Sequence, residues 1–199
     1  MNRILYLTTL ILLASGSLRA QGPERLQAGD LLFYVDTEGM GAAVRESTGS
    51  YTHVALVAEV GDTVWIIDAT QRYGVSRRPL TRRPESSVRP YPDVYRLAIP
   101  FDTADVILRA RRLIGQPYDN AFLPDNGMMY CSELVYECYR DGDGNPLFEA
   151  RPMNWRAPDG TMPRYWTEHF QQLGVPIPEG VPGTNPTDLA RSPLLQRIH

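Results

Sequence analysis

Two periods of apolar and polar residues alternate along this chain, and the points where they switch divide it into strands and helices. Gly29-Asp30-Leu31-Leu32-Phe33-Tyr34-Val35 contains a short continuous apolar run and predicts a strand. Met40 to Thr48, with Ala42, Ala43 and Val44, predicts a short helix, and a turn follows at Gly49-Ser50. Thr52 to Val60 and Thr63 to Ala69 are β-branched apolar runs on either side of Gly61-Asp62, which is the pattern of a hairpin. Gly74 to Arg78 and Val94 to Ala98 predict two more strands, separated by a proline- and arginine-rich excursion from Pro79 to Pro92 that reads as a long loop or lid. From Thr103 to Ile114 the apolar residues Val106, Ile107, Ala110, Leu113 and Ile114 recur at helical spacing. Gly115 stops that helix before the turn Gln116-Pro117-Tyr118-Asp119. Cys131 to Tyr139 is again amphipathic, and Pro163 to Leu173 predicts a short helix with Tyr165, Trp166 and Phe170 on its core side. Beyond Gly174 the chain is proline-rich and predicts no regular element.

The first 20 residues follow a different logic. Met1-Asn2-Arg3, the apolar run Ile4 to Ala14 and the small-residue zone Ser15 to Ala20 read as a signal peptide cut near Ala20. The run is too short to span a bilayer, and no later segment approaches the ~20 apolar residues required. The expectation is an exported protein, periplasmic or extracellular, without stable membrane insertion. Residues 21–199 then make one domain of about 180 residues. The formal charge is -3, and removal of Arg3 and Arg19 with the leader takes it to -5, so no basic field remains to hold nucleic acid. All 20 basic residues are arginine, which excludes mechanisms that need a Schiff-base lysine.

Two cysteines in an exported chain ordinarily suggest a disulfide. Cys131 and Cys138 are separated by about 10.5 Å on one helix at ~1.5 Å per residue, beyond the ~7 Å that a bridge spans. Cys138 therefore reads as a small buried core residue, and Cys131 as a thiol at the exposed helix tip, where unpaired N–H groups favour a thiolate. A thiol nucleophile needs a base, and the chain offers His53, His169 and the terminal His199. His53 begins a strand, whereas His169 lies among aromatics on a helix, so His53 is favoured. A turn centred on Gly61-Asp62 pairs His53 with Thr70 and Ala55 with Asp68. Asp68 then shares a face with His53 at the diagonal position, roughly 7 to 8 Å away between backbones, within reach of the imidazole. There it would orient the ring and stabilise its charged form. No paired-histidine helix or Cys-x-x-Cys suggests a metal. Asp141-Gly142-Asp143-Gly144-Asn145 superficially suggests calcium, but Pro146 and Pro152 occupy the sixth and twelfth positions of the loop, so it reads as a solvated turn.

The Gly29 to Phe33 stretch, the Thr52 to Val57 strand, the Gly115 to Asp119 turn and Tyr130-Cys131-Ser132-Glu133-Leu134-Val135 together resemble the YiiX-like branch of the NlpC cysteine peptidase superfamily. The resemblance covers most of the mature chain and places histidine ahead of cysteine, as in a circularly permuted papain order. It implies an α+β fold, an antiparallel sheet or partial barrel packed against helices, with the nucleophile at a helix N-terminus. It implies Cys131 as nucleophile, His53 as base and Asp68 as third member, with Tyr118, Tyr130 and Ser132 near the substrate and no cofactor. Tyr118 would line the cleft or help to hold an oxyanion, or else is an ordinary packed tyrosine.

The leading expectation is an amidase or peptidase that acts through a thioester on cell-wall peptides or related amides, with a small peptide, amino-acid amide or acyl compound as substrate. A lipid thioesterase or acyltransferase of the same permuted order is the second reading. A non-catalytic binding module that uses the arginines between Arg77 and Arg89 for anions is the third. The sequence carries no signal for an oligomeric state.

Overall fold

The computed structural model describes residues 26–81 and 92–198. The expected signal peptide and most of the Pro79 to Pro92 excursion lie outside the described residues. In chain order the elements are β1 (Leu31–Tyr34), α1 (Gly39–Thr48), β2 (His53–Glu59), β3 (Trp65–Thr70), β4 (Gly74–Pro79), β5 (Asp93–Leu97), α2 (Thr103–Leu113), α3 (Cys131–Cys138), β6 (Arg151–Pro152), α4 (Arg164–Leu173), β7 (Pro182–Gly183), α5 (Pro186–Ala190) and β8 (Leu195–Arg197). Six strands form one antiparallel sheet in the order β4-β3-β2-β1-β5-β8, while β6 and β7 pair separately. This is the mixed α+β architecture that the sequence implies, as an open sheet and not a closed barrel.

Strand periodicity gives the sheet two apolar faces. Leu31, Phe33, Val54, Leu56, Ile67, Ala69 and Val75 form one cluster with Val106 and Ala110 of α2 and Leu134, Val135 and Cys138 of α3. Leu32, Tyr34, Ala55, Val57, Ile66 and Val94 form another on the alternate positions. A third cluster, Ala43, Phe122, Tyr130, Trp155, Trp166 and Phe170, joins α1 to α4. Burial on both faces explains why β1 and β2 read as nearly continuous apolar runs without polar alternation.

The β2–β3 hairpin keeps the expected register at Leu56↔Ile67 and Val57↔Ile66, but a bulge before Glu59 shifts the next pair to Glu59↔Trp65. The connection is therefore the five-residue stretch 60–64 and not a two-residue turn at Gly61-Asp62. The bulge sets Glu59 on Arg77 at 2.7 Å, and that guanidinium lies over the Trp65 ring at 3.8 Å. The segment beyond Gly174 also differs from expectation, since it contains β7, α5 and β8. These are two to five residues long, too short for periodicity to show, and partners supplied by the rest of the chain hold them. Asn185 caps α5 by accepting the Asp188 N–H at 2.9 Å, and β8 pairs with β5 through Tyr95↔Arg197 to Leu97↔Leu195.

Candidate active site

Cys131 is the first residue of α3, and His53 is the first residue of β2, so a helix tip and a strand end meet at one margin of the sheet. The helix starts where it does because Tyr130 is extended, with φ -99° and ψ 169°, and its N–H is taken by a carboxyl oxygen of Glu133 at 3.4 Å. Both cysteines are free thiols. Cys138 is sealed in the core, and burial pushes its thiol up to about 12. Cys131 was expected at an exposed tip; it is instead 6% exposed, on the wall of a cavity of about 210 Å³ that also contains His53. The cavity walls from α1 and the aromatic cluster enclose the helix tip and account for the difference.

His53 Nε2 lies 2.8 Å from Asp68 Oδ2, as the diagonal pairing requires. With Nε2 committed to Asp68, Nδ1 is the ring atom left for the side-chain interaction with Cys131. Burial disfavours the charged ring, but the Cys131 and Asp68 side chains outweigh it and push His53 up to about 9. Asp68 has no exposure to solvent. Burial likewise opposes its charge, yet His53 and then Arg78 hold it down to about 2.

Arg78, which the sequence suggests only as one of the arginines of a possible anion-binding loop, reaches this carboxylate from β4. Its Nε donates to Asp68 Oδ1 at 2.9 Å and its Nη2 to Asp68 Oδ2 at 2.5 Å. The signal lay in the β3–β4 register, in which Asp68 pairs with Ser76 and Arg78 therefore falls at the diagonal position on the same face.

Tyr118 lines the cavity with Cys131 and His53, and its hydroxyl points to Met40 Sδ at 3.6 Å. Burial pushes its phenol well above the usual value, which keeps it a neutral donor. It is held by backbone geometry: Gln116 O accepts the Val75 N–H at 2.9 Å, Gly115 N–H donates to Val75 O at 2.9 Å, and Tyr118 bridges to Met129. Gly74 makes this approach possible, because its φ is +61° and a Cβ there would lie 2.2 Å from Gln116 O.

Tyr130 and Ser132 do not line this cavity. The Tyr130 hydroxyl accepts the Thr184 N–H at 3.1 Å, and Ser132 Oγ donates to Thr184 O at 3.1 Å, so both anchor the segment that leads into α5. Flanking Cys131 in sequence gave no direction, since successive helix residues point about 100° apart. His169 also lies off the cavity: its Nε2 is 2.7 Å from Asn120 O and its ring stacks on Tyr165. The opposite wall is tied together by hydrogen bonds, with Trp166 Nε1 donating to Ser47 Oγ at 3.0 Å and Ser47 Oγ donating to Trp155 O at 2.8 Å. The Asp141 carboxylate accepts the Asp143 and Asn145 N–H groups at 2.9 and 2.8 Å, closing its own turn. Among the described residues no group of three or more His, Cys, Asp or Glu side chains could hold a metal ion.

A search of curated proteins returned no match. Among solved structures, the metalloprotein YiiX from Escherichia coli O157:H7 superposes with a TM-score of 0.72 at 22% identity, covering 87% of this chain and 96% of that one. That likeness concerns the fold. The family model described as "permuted papain-like amidase enzyme, YaeF/YiiX, C92 family" matches residues 25–199, and the chain belongs to that family.

Proposed function

We propose that this chain is an exported cysteine amidase in which Cys131, His53 and Asp68 act as a unit on a small peptide or amino-acid amide, cell-wall peptides being the class that export favours. The observation that carries the reading is the shared cavity wall of Cys131 and His53, with the far ring nitrogen of His53 on a fully buried carboxylate. Membership of an amidase family supports the chemistry. The leader-like first 20 residues support export to the periplasm or beyond, with residues 21–199 as the working domain. Among the described residues no helix is long and apolar enough to cross a membrane.

In this reading the Cys131 thiolate attacks the amide carbon, and the carbonyl oxygen takes the negative charge. The Cys131 backbone N–H, in the first turn of α3 where amides lack helical acceptors, meets that oxyanion, and the Tyr118 hydroxyl lies on the same cavity. The imidazolium of His53 gives its proton to the departing nitrogen, the C–N bond breaks, and a thioester remains on Cys131. Water then attacks the thioester while His53 accepts its proton, and the acid leaves as the thiolate is restored. Asp68 keeps the ring turned and favours its charged form throughout.

The apolar side of the cavity, with Met40, Val44, Phe122, Met153 and Trp155, also suits an acyl chain, which keeps thioester or acyl-ester cleavage as a second reading. Matched amide and ester substrates decide between them by which releases acid faster. A thiol-directed acyl probe should label the wild type and Cys138→Ala but not Cys131→Ala. Absence of labelling in the wild type across the range from acid to mildly alkaline pH overturns the enzyme reading in favour of a binding module.

A further inference from the structure

We propose that Arg78 is a positioning residue for the reaction: its guanidinium clamps both oxygens of Asp68 and so presents Oδ2 to His53 Nε2. The proposal rests on the reading of Cys131, His53 and Asp68 as one unit. A guanidinium is a planar fork whose N–H groups match the two oxygens of a carboxylate, so a two-point contact fixes the plane of the acid as well as its place. Arg78 makes that contact through Nε to Oδ1 and Nη2 to Oδ2. With one contact alone, the carboxylate could turn about its Cβ–Cγ bond and swing Oδ2 away from the ring. With both, the turn breaks an Arg78 bond.

The clamp also answers an electrostatic need. Asp68 is wholly buried, and a carboxylate out of water without a hydrogen-bonded cation is expensive. The charged and titratable groups around it come from each neighbouring strand: His53 from β2, Arg78 from β4, and Tyr34 of β1 and Tyr73 from the turn before β4, which face Arg78. Cys131 of α3 stands beyond His53. Charges alternate along Arg78, Asp68, His53 and Cys131 when the last pair is thiolate and imidazolium. The arginine at the back is 29% exposed on its side chain and does not line the cavity. It therefore acts on the reaction through Asp68 and does not touch substrate.

This placement separates Arg78 from a substrate-binding residue and from a merely structural one. In the whole exported domain, Arg78→Gln should lower kcat roughly ten- to a hundredfold while KM stays within about threefold. Its acid limb in kcat/KM should move to higher pH, because Arg78 is one of the groups that lower Asp68. Arg78→Lys should fall between the two, since an ammonium supplies charge without the two-point fork. Millimolar guanidinium should raise kcat of Arg78→Gly several-fold and leave the wild type unchanged. An Arg78→Gln protein that melts like the wild type and turns over at its rate overturns the proposal. So does a loss of activity that guanidinium does not restore and that moves with the melting temperature and not with pH. If Arg78→Gln does not fold, Arg78→Lys decides: full kcat and an unmoved acid limb reject the clamp. Cys131→Ala and His53→Ala are the reference pair. Activity in either sinks the underlying reading, whereas inactivity in both beside a normal Arg78→Gln sinks the Arg78 assignment alone.

Discussion

Asp68→Asn tests the electrostatics of the site most directly, because it keeps the shape and removes the charge. Asp68 Oδ2 faces His53 Nε2 at 2.8 Å and Arg78 Nη2 at 2.5 Å, while Oδ1 faces Arg78 Nε at 2.9 Å. An asparagine has one acceptor and one donor end, so whichever way it turns, its NH₂ meets a donor of Arg78 or the N–H of His53. Hydrogen bonds to charged groups contribute about 1.5–3 kcal/mol and neutral ones about 0.5–1.5. The imidazolium therefore loses about 1 kcal/mol or somewhat more of preferential stabilisation, roughly one pH unit. His53 in the wild type is pushed up to about 9. The basic limb of kcat/KM, which reports loss of the proton that the leaving nitrogen needs, should fall by about one unit, with a rate loss of roughly tenfold below it. Initial rates of amine release from a fluorogenic amide, taken at closely spaced pH values across that limb, measure both. A limb that stays near its wild-type position, with an unchanged rate, refutes the role given to Asp68. Stability supplies an independent sign. A carboxyl held down to about 2 from its ordinary 3.8 contributes about 2 kcal/mol that is fully present above 3.8 and lost as pH falls through 2. The gap in melting temperature between wild type and variant should therefore be widest near neutrality and close on acidification.

His53→Ala should abolish turnover and leave the fold, and His169→Ala should keep turnover, as measured by the same amine release; an active His53→Ala protein moves the base elsewhere. Cys138→Ala should retain activity and lose about 1–2 kcal/mol of stability in denaturant melts, because Cys138 only fills core. Gly74→Ala should cost about 2 kcal/mol or more and slow turnover, since a Cβ 2.2 Å from Gln116 O displaces the turn that carries Tyr118; a variant with wild-type stability contradicts that contact. Burial pushes Glu133 up to about 8 from 4.5, so the fold loses stability as pH rises through that window. Glu133→Gln should match the wild type in melting temperature at pH 4.5 and exceed it increasingly toward alkaline pH.

Most of the sheet and all four long helices were legible because each repeats an apolar spacing for at least two turns or four strand positions. α4 shows this clearly: Trp166 and Phe170, four apart, are both buried as the spacing requires. The misreadings have a common cause. β6, β7, α5 and β8 are too short to show a period and owe their form to partners distant in sequence, as when β8 completes the edge beside β5. The bulge before Glu59 is likewise invisible in one strand read alone, since it is a shift of register between two strands. Local spacing cannot see a contact across the sheet.

The site divides along the same line, and the division shows what its construction needs. His53 and Asp68 could be placed together because one hairpin carries both, and the two-residue alternation of its strands survives the bulge that lies beyond them. Cys131 could be named because its position is set by a local event, the start of a helix. Bringing the thiol to the imidazole is not local: α3 must lie against β2 and β3, which the Leu134 and Val135 packing on Val54 and Leu56 arranges. Tyr130 and Ser132, neighbours of the thiol in sequence, turn instead to Thr184, whereas Arg78, ten residues beyond Asp68, returns to it across one strand pair. Nearness to Cys131 along the chain was therefore the weaker guide, and shared sheet face the stronger. Applied one strand further, the diagonal rule that joins His53 to Asp68 also joins Asp68 to Arg78. Asp68 is buried at such a position, and Arg78 from the next strand supplies a hydrogen-bonded cation that favours its charged form over its neutral one.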